Sequence, residues 1–131
     1  MKKDIHIPEV TNVEIAVVLD KNAQDNSDEW GVYIINRKEI DIEMVVIVSQ
    51  GFSDTKKTSL FRRKIDVLPA NSFSKFEIMQ PELFALDNQF QVIFFENNQL
   101  HDKTFIFQAE TIQKGFLRDI DILGKKGILI K

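Results

Sequence analysis

The chain has 131 residues, 44% of them hydrophobic, and its 17 basic and 20 acidic residues leave a formal net charge of −3. This length is typical of one domain. The chain lacks the excess of basic residues with which general nucleic-acid-binding proteins neutralise phosphates. The absence of cysteine excludes disulfides and thiolate zinc sites.

The N-terminal residues do not match a secretory signal. Such a signal needs an uninterrupted apolar stretch after its first basic residues, and here that stretch is broken by Asp4, His6, Pro8 and Glu9. No apolar run approaches the ~20 residues that a membrane-spanning helix needs. We therefore expect a soluble, cytoplasmic protein that contacts neither membrane nor nucleic acid.

The N-terminal half predicts strands separated by polar turns. Residues 10–20 begin with strict alternation and predict a first strand, which a polar loop over 21–29 follows. Residues 30–35 and 40–48 predict two antiparallel strands joined by a short turn. The second of these should present one apolar face, made by Ile40, Ile42, Met44, Val46 and Val48. Residues 49–54 then supply turn chemistry around Gly51.

The C-terminal half continues the pattern. A strand closes at Pro69, another covers 72–79, and Pro81 opens one turn of helix within 81–88. Residues 89–96 and 101–108 flank an Asn97-Asn98 turn and predict a hairpin, because asparagine tolerates the positive φ of tight turns.

Seven to nine short strands at this turn spacing predict an all-β, antiparallel, immunoglobulin-like β-sandwich with at most one short helical turn. We expect residues 1–112 to form the sandwich domain. Residues 113–131 should form a C-terminal arm or hairpin that packs on the same domain.

Catalytic and metal-binding patterns are missing from the sequence. The chain has two histidines, His6 and His101, and contains neither a G-x-S-x-G nucleophile elbow nor a phosphate-binding glycine loop. The sequence therefore predicts no enzyme activity, no cofactor and no metal. A hydrolase that combines His101 with acids from other strands is the third possibility considered.

Phenylalanine is the most unusual component, with eleven copies against one tryptophan and one tyrosine. Side chains alternate along a strand, so Phe94 and Phe95 must point to opposite faces of the predicted hairpin. Either this hairpin is covered on both sides, or one face meets another chain. The candidate interaction surface consists of Phe94, Phe95, Phe105 and Phe107.

Two further groups are candidate binding residues. Trp30 and Tyr33 are the candidate stacking residues of a small-ligand or carbohydrate site. A candidate basic patch for an acidic partner consists of Lys56, Lys57, Arg62, Arg63 and Lys64. The same cations would also suit an edge strand, where charge prevents sheets from pairing with other sheets.

The order of elements around Tyr33-Ile34-Ile35-Asn36, the Gly51 turn, Pro69 and the Phe-rich hairpin resembles small uncharacterised bacterial domains with an immunoglobulin-like sandwich. The resemblance covers residues 10–112, although the chain lacks the Cys-Trp-Cys hallmark of antibody domains. It implies a fold but no functional site. The leading functional hypothesis is a protein-interaction or self-association module. The alternative is the small-ligand-binding sandwich that uses Trp30 and Tyr33.

Overall fold

The structure, a computed structural model, describes residues 9–130. The predicted all-β sandwich is confirmed: these residues form nine strands in two antiparallel sheets, with two short 3-10 helices, Pro81–Ala85 and Lys114–Phe116. The strands are β1 Val13–Lys21, β2 Asp28–Asn36, β3 Ile42–Phe52, β4 Phe61–Leu68, β5 Ser72–Met79, β6 Asp87–Glu96, β7 Gln99–Phe107, β8 Arg118–Ile120 and β9 Lys125–Ile130.

Sheet A has the strand order β5-β2-β1-β9-β8, and sheet B has the order β4-β3-β6-β7. Alternate side chains of the facing strands fill the space between the sheets, as expected of a sandwich core. The fully buried aromatic residues of this core come from the β6–β7 hairpin and are Phe90, Phe94, Phe105 and Phe107. A smaller apolar cluster lies on the other face of sheet A and contains Ala16, Val18, Tyr33, Ile35, Ile120 and Leu123.

The prediction that residues 30–35 and 40–48 pair with each other is wrong. β2 pairs with β1 and β5 in sheet A, whereas β3 pairs with β4 and β6 in sheet B. The chain crosses between sheets here, and the buried side chain of Asn36 holds the crossing. The two hydrogens of its amide Nδ2 are shared among three carbonyl oxygens, those of Ile40 at 3.0 Å, Leu68 at 3.1 Å and Pro69 at 3.0 Å.

The prediction for the apolar face of this strand, β3, is also wrong from Met44 onward. Met44 has a φ of 50°, and the register between β3 and β6 shifts between Glu43 and Val46. This irregularity breaks the alternation, as a β-bulge does. Ile42, Val45 and Ile47 are therefore buried, while Met44 is 54% exposed.

The segment predicted as a turn around Gly51 belongs largely to β3, which continues to Phe52. Gly51 is paired with Asn88 of β6, and a Cβ at this position would lie 3.1 Å from Asn88 Oδ1. Glycine at this position therefore permits the close approach of β3 and β6. The helical turn predicted from Pro81 is present as a 3-10 helix over Pro81–Ala85.

The β6–β7 hairpin is confirmed, with Glu96 paired to Gln99 across a two-residue turn. Asn97 and Asn98 have φ values of 51° and 63°, which is the conformation that a type I′ turn requires. At the C-terminus, β8 and β9 form a second hairpin, and β9 pairs with β1. The helical segments of residues 9–130 are two short 3-10 helices, and neither could span a membrane.

Candidate functional site

A cavity of about 610 Å³ opens between β4 and β5, which are the edge strands of the two different sheets. The sheets are not joined by strand pairing on this side, so the sandwich is open there. Five apolar side chains contribute walls: Phe61, Phe76, Ile78, Leu83 and Phe90. The volume falls within the range of roughly 300–1,000 Å³ that is usual for small-molecule sites.

Strand irregularity brings an acid into this cavity. The register between β2 and β5 shifts between Val32 and Tyr33, because Phe76 is an extra residue between the partners Lys75 and Glu77. Val32 is a core residue, so its partner Glu77 lies on the inward face of β5. Phe76 and Glu77 consequently both line the cavity.

Three polar side chains converge beside Phe76. Ser49 Oγ donates to Glu77 Oε1 at 2.7 Å. Arg63 Nε donates to the carbonyl oxygen of Phe76 at 3.1 Å, and its guanidinium carbon lies 4.0 Å from the centre of the Phe61 ring. The cavity therefore combines a hydrogen-bonded acid with a cation held against an aromatic face.

Burial raises the pKa of Glu77 above its ordinary value, and the Ser49 hydrogen bond and the charge of Arg63 oppose this only in part. Desolvation disfavours the ionised form of a carboxyl group, which explains the direction. Glu77 thus carries its proton at a higher pH than an exposed glutamate does.

The 3-10 helix Pro81–Ala85 forms a further wall, since Leu83 lines the cavity. Asn88 fixes this helix, because its Nδ2 donates to the carbonyl oxygens of Leu83 at 2.8 Å and Leu86 at 3.1 Å. The wall is therefore attached directly to β6.

The five cations of the predicted basic patch do not share one surface. Arg63 lines the cavity, whereas Arg62 and Lys64 occupy the alternate positions of β4 and point to the outer face of sheet B. Lys56 and Lys57 are exposed in the loop between β3 and β4. Strand alternation separates these residues, and β4 is an edge strand.

The predicted aromatic candidates lie mainly inside the protein. Phe94, Phe105 and Phe107 are at most 1% exposed in the core, so of the four only Phe95 points outward from the hairpin. Trp30 is buried with its ring at a right angle to that of Phe84, and Tyr33 is buried in the smaller cluster. The structure therefore leaves neither Trp30 nor Tyr33 as an open stacking platform.

His101 is buried and stacks on Phe94 with ring centres 5.0 Å apart, while its Nδ1 lies 3.1 Å from the carbonyl oxygen of Gln99. His6 lies outside the described residues. Within residues 9–130, no group of three or more histidine, aspartate or glutamate side chains is arranged to hold a metal.

A second polar cluster lies on the outer face of sheet A around Asp20, whose side chain is 5% exposed. Asp20 accepts from Lys125 Nζ at 2.6 Å and from Tyr33 Oη at 2.8 Å, and Lys75 Nζ lies at 3.2 Å. A Cβ on Gly31 would lie 2.8 Å from Asp20 Oδ2 and 2.7 Å from Lys75 Cε, so glycine leaves room for this contact. Because three partners already satisfy Asp20, the cluster has a structural role.

Asp20→Asn is expected to lower the free energy of unfolding by about 2 kcal/mol, the usual size for hydrogen bonds to a charged group. Burial alone would raise the pKa of Asp20, but the bonds from Lys125, Tyr33 and Lys75 outweigh it and lower the pKa. The stabilisation is thus complete above the unfolded pKa of about 3.9 and is lost as pH falls through the folded pKa. Urea unfolding at neutral and acid pH, with exposed Asp54→Asn as the control, measures this difference. An equal loss at both pH values would contradict it.

Sequence reasoning did not select Ser49 or Glu77. In the alternation of residues 72–79, Phe76 and Ile78 share one face and Glu77 the other, and nothing in these residues marks the bulge. Arg63 was selected only as one member of the basic patch.

No protein-family model, curated protein or solved structure matches the chain.

Proposed function

We propose that this domain binds a small molecule with an apolar body and one polar end group in the cavity between β4 and β5. The observation that carries the proposal is the combination of apolar walls with Arg63, Glu77 and Ser49 in one opening of about 610 Å³. Pockets of this kind use a few placed polar groups to orient a ligand that buries mainly apolar surface.

The polar groups favour particular ligand chemistry. Arg63 can donate to an acidic or carbonyl oxygen, while Glu77 can accept from a hydroxyl or amide group. The Phe61 ring, which packs against Arg63, offers a flat apolar surface at the same place. This proposal keeps the small-ligand alternative but moves it from Trp30 and Tyr33 to the cavity.

We propose that the domain is a binding module and not an enzyme. We also propose that its sandwich is immunoglobulin-like. The pairs β1–β2, β2–β5, β3–β6 and β6–β7 support this assignment, because they correspond to the A–B, B–E, C–F and F–G neighbours of immunoglobulin-type sandwiches. A cytoplasmic location is part of the same proposal, and the absence of cysteine is compatible with it.

The test uses 8-anilinonaphthalene-1-sulfonate, a fluorescent probe with an aromatic body and an anionic end. Arg63→Gln is expected to weaken probe binding about tenfold, because it removes a charged hydrogen-bond donor. Arg62→Gln is the matched control, since the neighbouring arginine points to the other face of β4 and should leave the affinity unchanged. Glu77→Gln is expected to strengthen binding at a pH high enough to ionise the wild-type carboxyl group, because it removes a negative charge near the sulfonate.

Fluorescence titration of the folded variants distinguishes the outcomes. A loss confined to Arg63→Gln supports the cavity. A loss confined to Arg62→Gln would place the probe on the outer face of sheet B, and equal losses for both arginine variants would show an effect of net charge without a defined site; either result contradicts the proposal. Saturable binding with the same affinity in both arginine variants as in the wild type would contradict the proposal as well.

A further inference from the structure

The outer face of sheet B carries six apolar side chains, five of which adjoin one another, whereas Ile106 lies apart beside Gln89. Within residues 9–130 no element covers this face, because β8 and β9 belong to sheet A. Two of these apolar side chains are exposed, Leu100 at 46% and Ile106 at 44%, and the other four are half-buried. The apolar residues of the face are Val46, Val48, Ile93, Phe95, Leu100 and Ile106.

Charge is distributed unevenly across the same face. Strand pairing places Lys64, Val46, Ile93 and Asp102 in one row across the four strands, with the cation at the β4 edge and the anion at the β7 edge. Asp102 lies on the same face as Gln91, whose Nε2 is 3.3 Å from both carboxylate oxygens. The face is therefore positive at one edge, apolar in the middle and negative at the other edge in this row.

We propose that this face binds a second copy of the same chain, with the two sheets B packed face to face. A two-fold axis parallel to the strands, above the boundary between β3 and β6, exchanges the two edges of the sheet. It places Lys64 of each copy against Asp102 of the other, and Val46 against Ile93. A surface with this pattern is self-complementary, as a two-fold interface must be.

The axis keeps the strands of the two sheets nearly aligned, which is one of the usual ways in which sheets pack. Four strands about 4.8 Å apart and about nine residues long cover roughly 600 Å² of plane. This is smaller than the ~800 Å² per partner of a standard interface, so the dimer should be weak and dependent on concentration. Asp66, whose carboxylate lies 3.7 Å from Lys64 Nζ, partly neutralises the positive edge and weakens the pairing further.

Sedimentation velocity of the full chain from low to high micromolar concentration tests this dimer. The wild-type protein is expected to shift reversibly from monomer to dimer. Lys64→Glu and Asp102→Lys each oppose like charges at both ends of the row and should weaken association about tenfold, and the double variant should restore it. Lys126→Glu makes the same charge change in sheet A and is the control.

A strictly monomeric wild-type chain overturns the proposal. Dimerisation that both single variants leave unchanged also overturns it, because the dimer would then use another surface. These outcomes do not depend on the cavity, which opens on the inner side of β4.

Discussion

Phe94→Ala is expected to lower the free energy of unfolding by about 3–5 kcal/mol, the usual cost of removing a fully buried phenylalanine. The side chain is 0% exposed, and its ring stacks on His101 at 5.0 Å. The alanine would leave a void between the sheets and would also expose one face of the buried imidazole. Chemical denaturation followed by circular dichroism measures the loss.

Phe95→Ala is the matched control, because the two phenylalanines are neighbours on opposite faces of β6. Its cost should be about 1 kcal/mol, since a half-buried side chain loses less apolar contact. Equal costs for the two variants would contradict the assignment of the inner and outer faces. In the proposed dimer, Phe95→Ala should also weaken association, whereas Phe94→Ala acts on folding.

Asn36→Ala is expected to cost about 3 kcal/mol, because three carbonyl oxygens at the crossing would lose the Asn36 amide as a donor. The Ser72 hydroxyl would still donate to the carbonyl oxygen of Pro69. The three carbonyls belong to Ile40, Leu68 and Pro69, and they connect the β2–β3 crossing to the loop after β4. The amide is therefore expected to contribute to the registration of the two sheets as well as to stability.

Asn36→Asp separates the loss of the donor from the loss of volume. At neutral pH its carboxylate would face carbonyl oxygens, so this variant should be at least as unstable as Asn36→Ala. Burial should raise the pKa of the new carboxyl group, and the variant should regain stability relative to wild type as the pH falls and the group becomes protonated. Thermal unfolding of both variants across pH measures this, and an Asn36→Asp variant with wild-type stability at neutral pH would show that the donated bonds contribute little.

The sequence was sufficient for the fold class and for elements with strong local signals. Asn97-Asn98 predicted a tight hairpin because few other residues accept two consecutive positive φ values, and Pro81 predicted the short helical turn. Alternation also predicted that Phe94 and Phe95 would separate to opposite faces. These predictions depend only on neighbouring residues.

The features that build the cavity depend on contacts between distant strands. Met44 adopts a positive φ without being glycine or asparagine, so the change of face in β3 has no local marker. The bulge that turns Glu77 inward depends on its pairing with β2. Alternation separates Arg63 from Arg62 and Lys64, but only the sheet topology decides which of them points inward. The burial of Asn36 likewise depends on a crossing that the sequence did not predict.

The most direct test of the central claim, that the inter-sheet cavity is a binding site, is a two-dimensional ¹⁵N–¹H NMR titration of the full chain with 8-anilinonaphthalene-1-sulfonate. We predict saturable shifts of the backbone amide signals of Ser49, Glu77 and Phe90, which line the cavity. The signals of Val46, Ile93 and Leu100 on the outer face of sheet B should remain in place. Shifts confined to the outer face, or an unchanged spectrum at saturating probe, would contradict a binding site between β4 and β5.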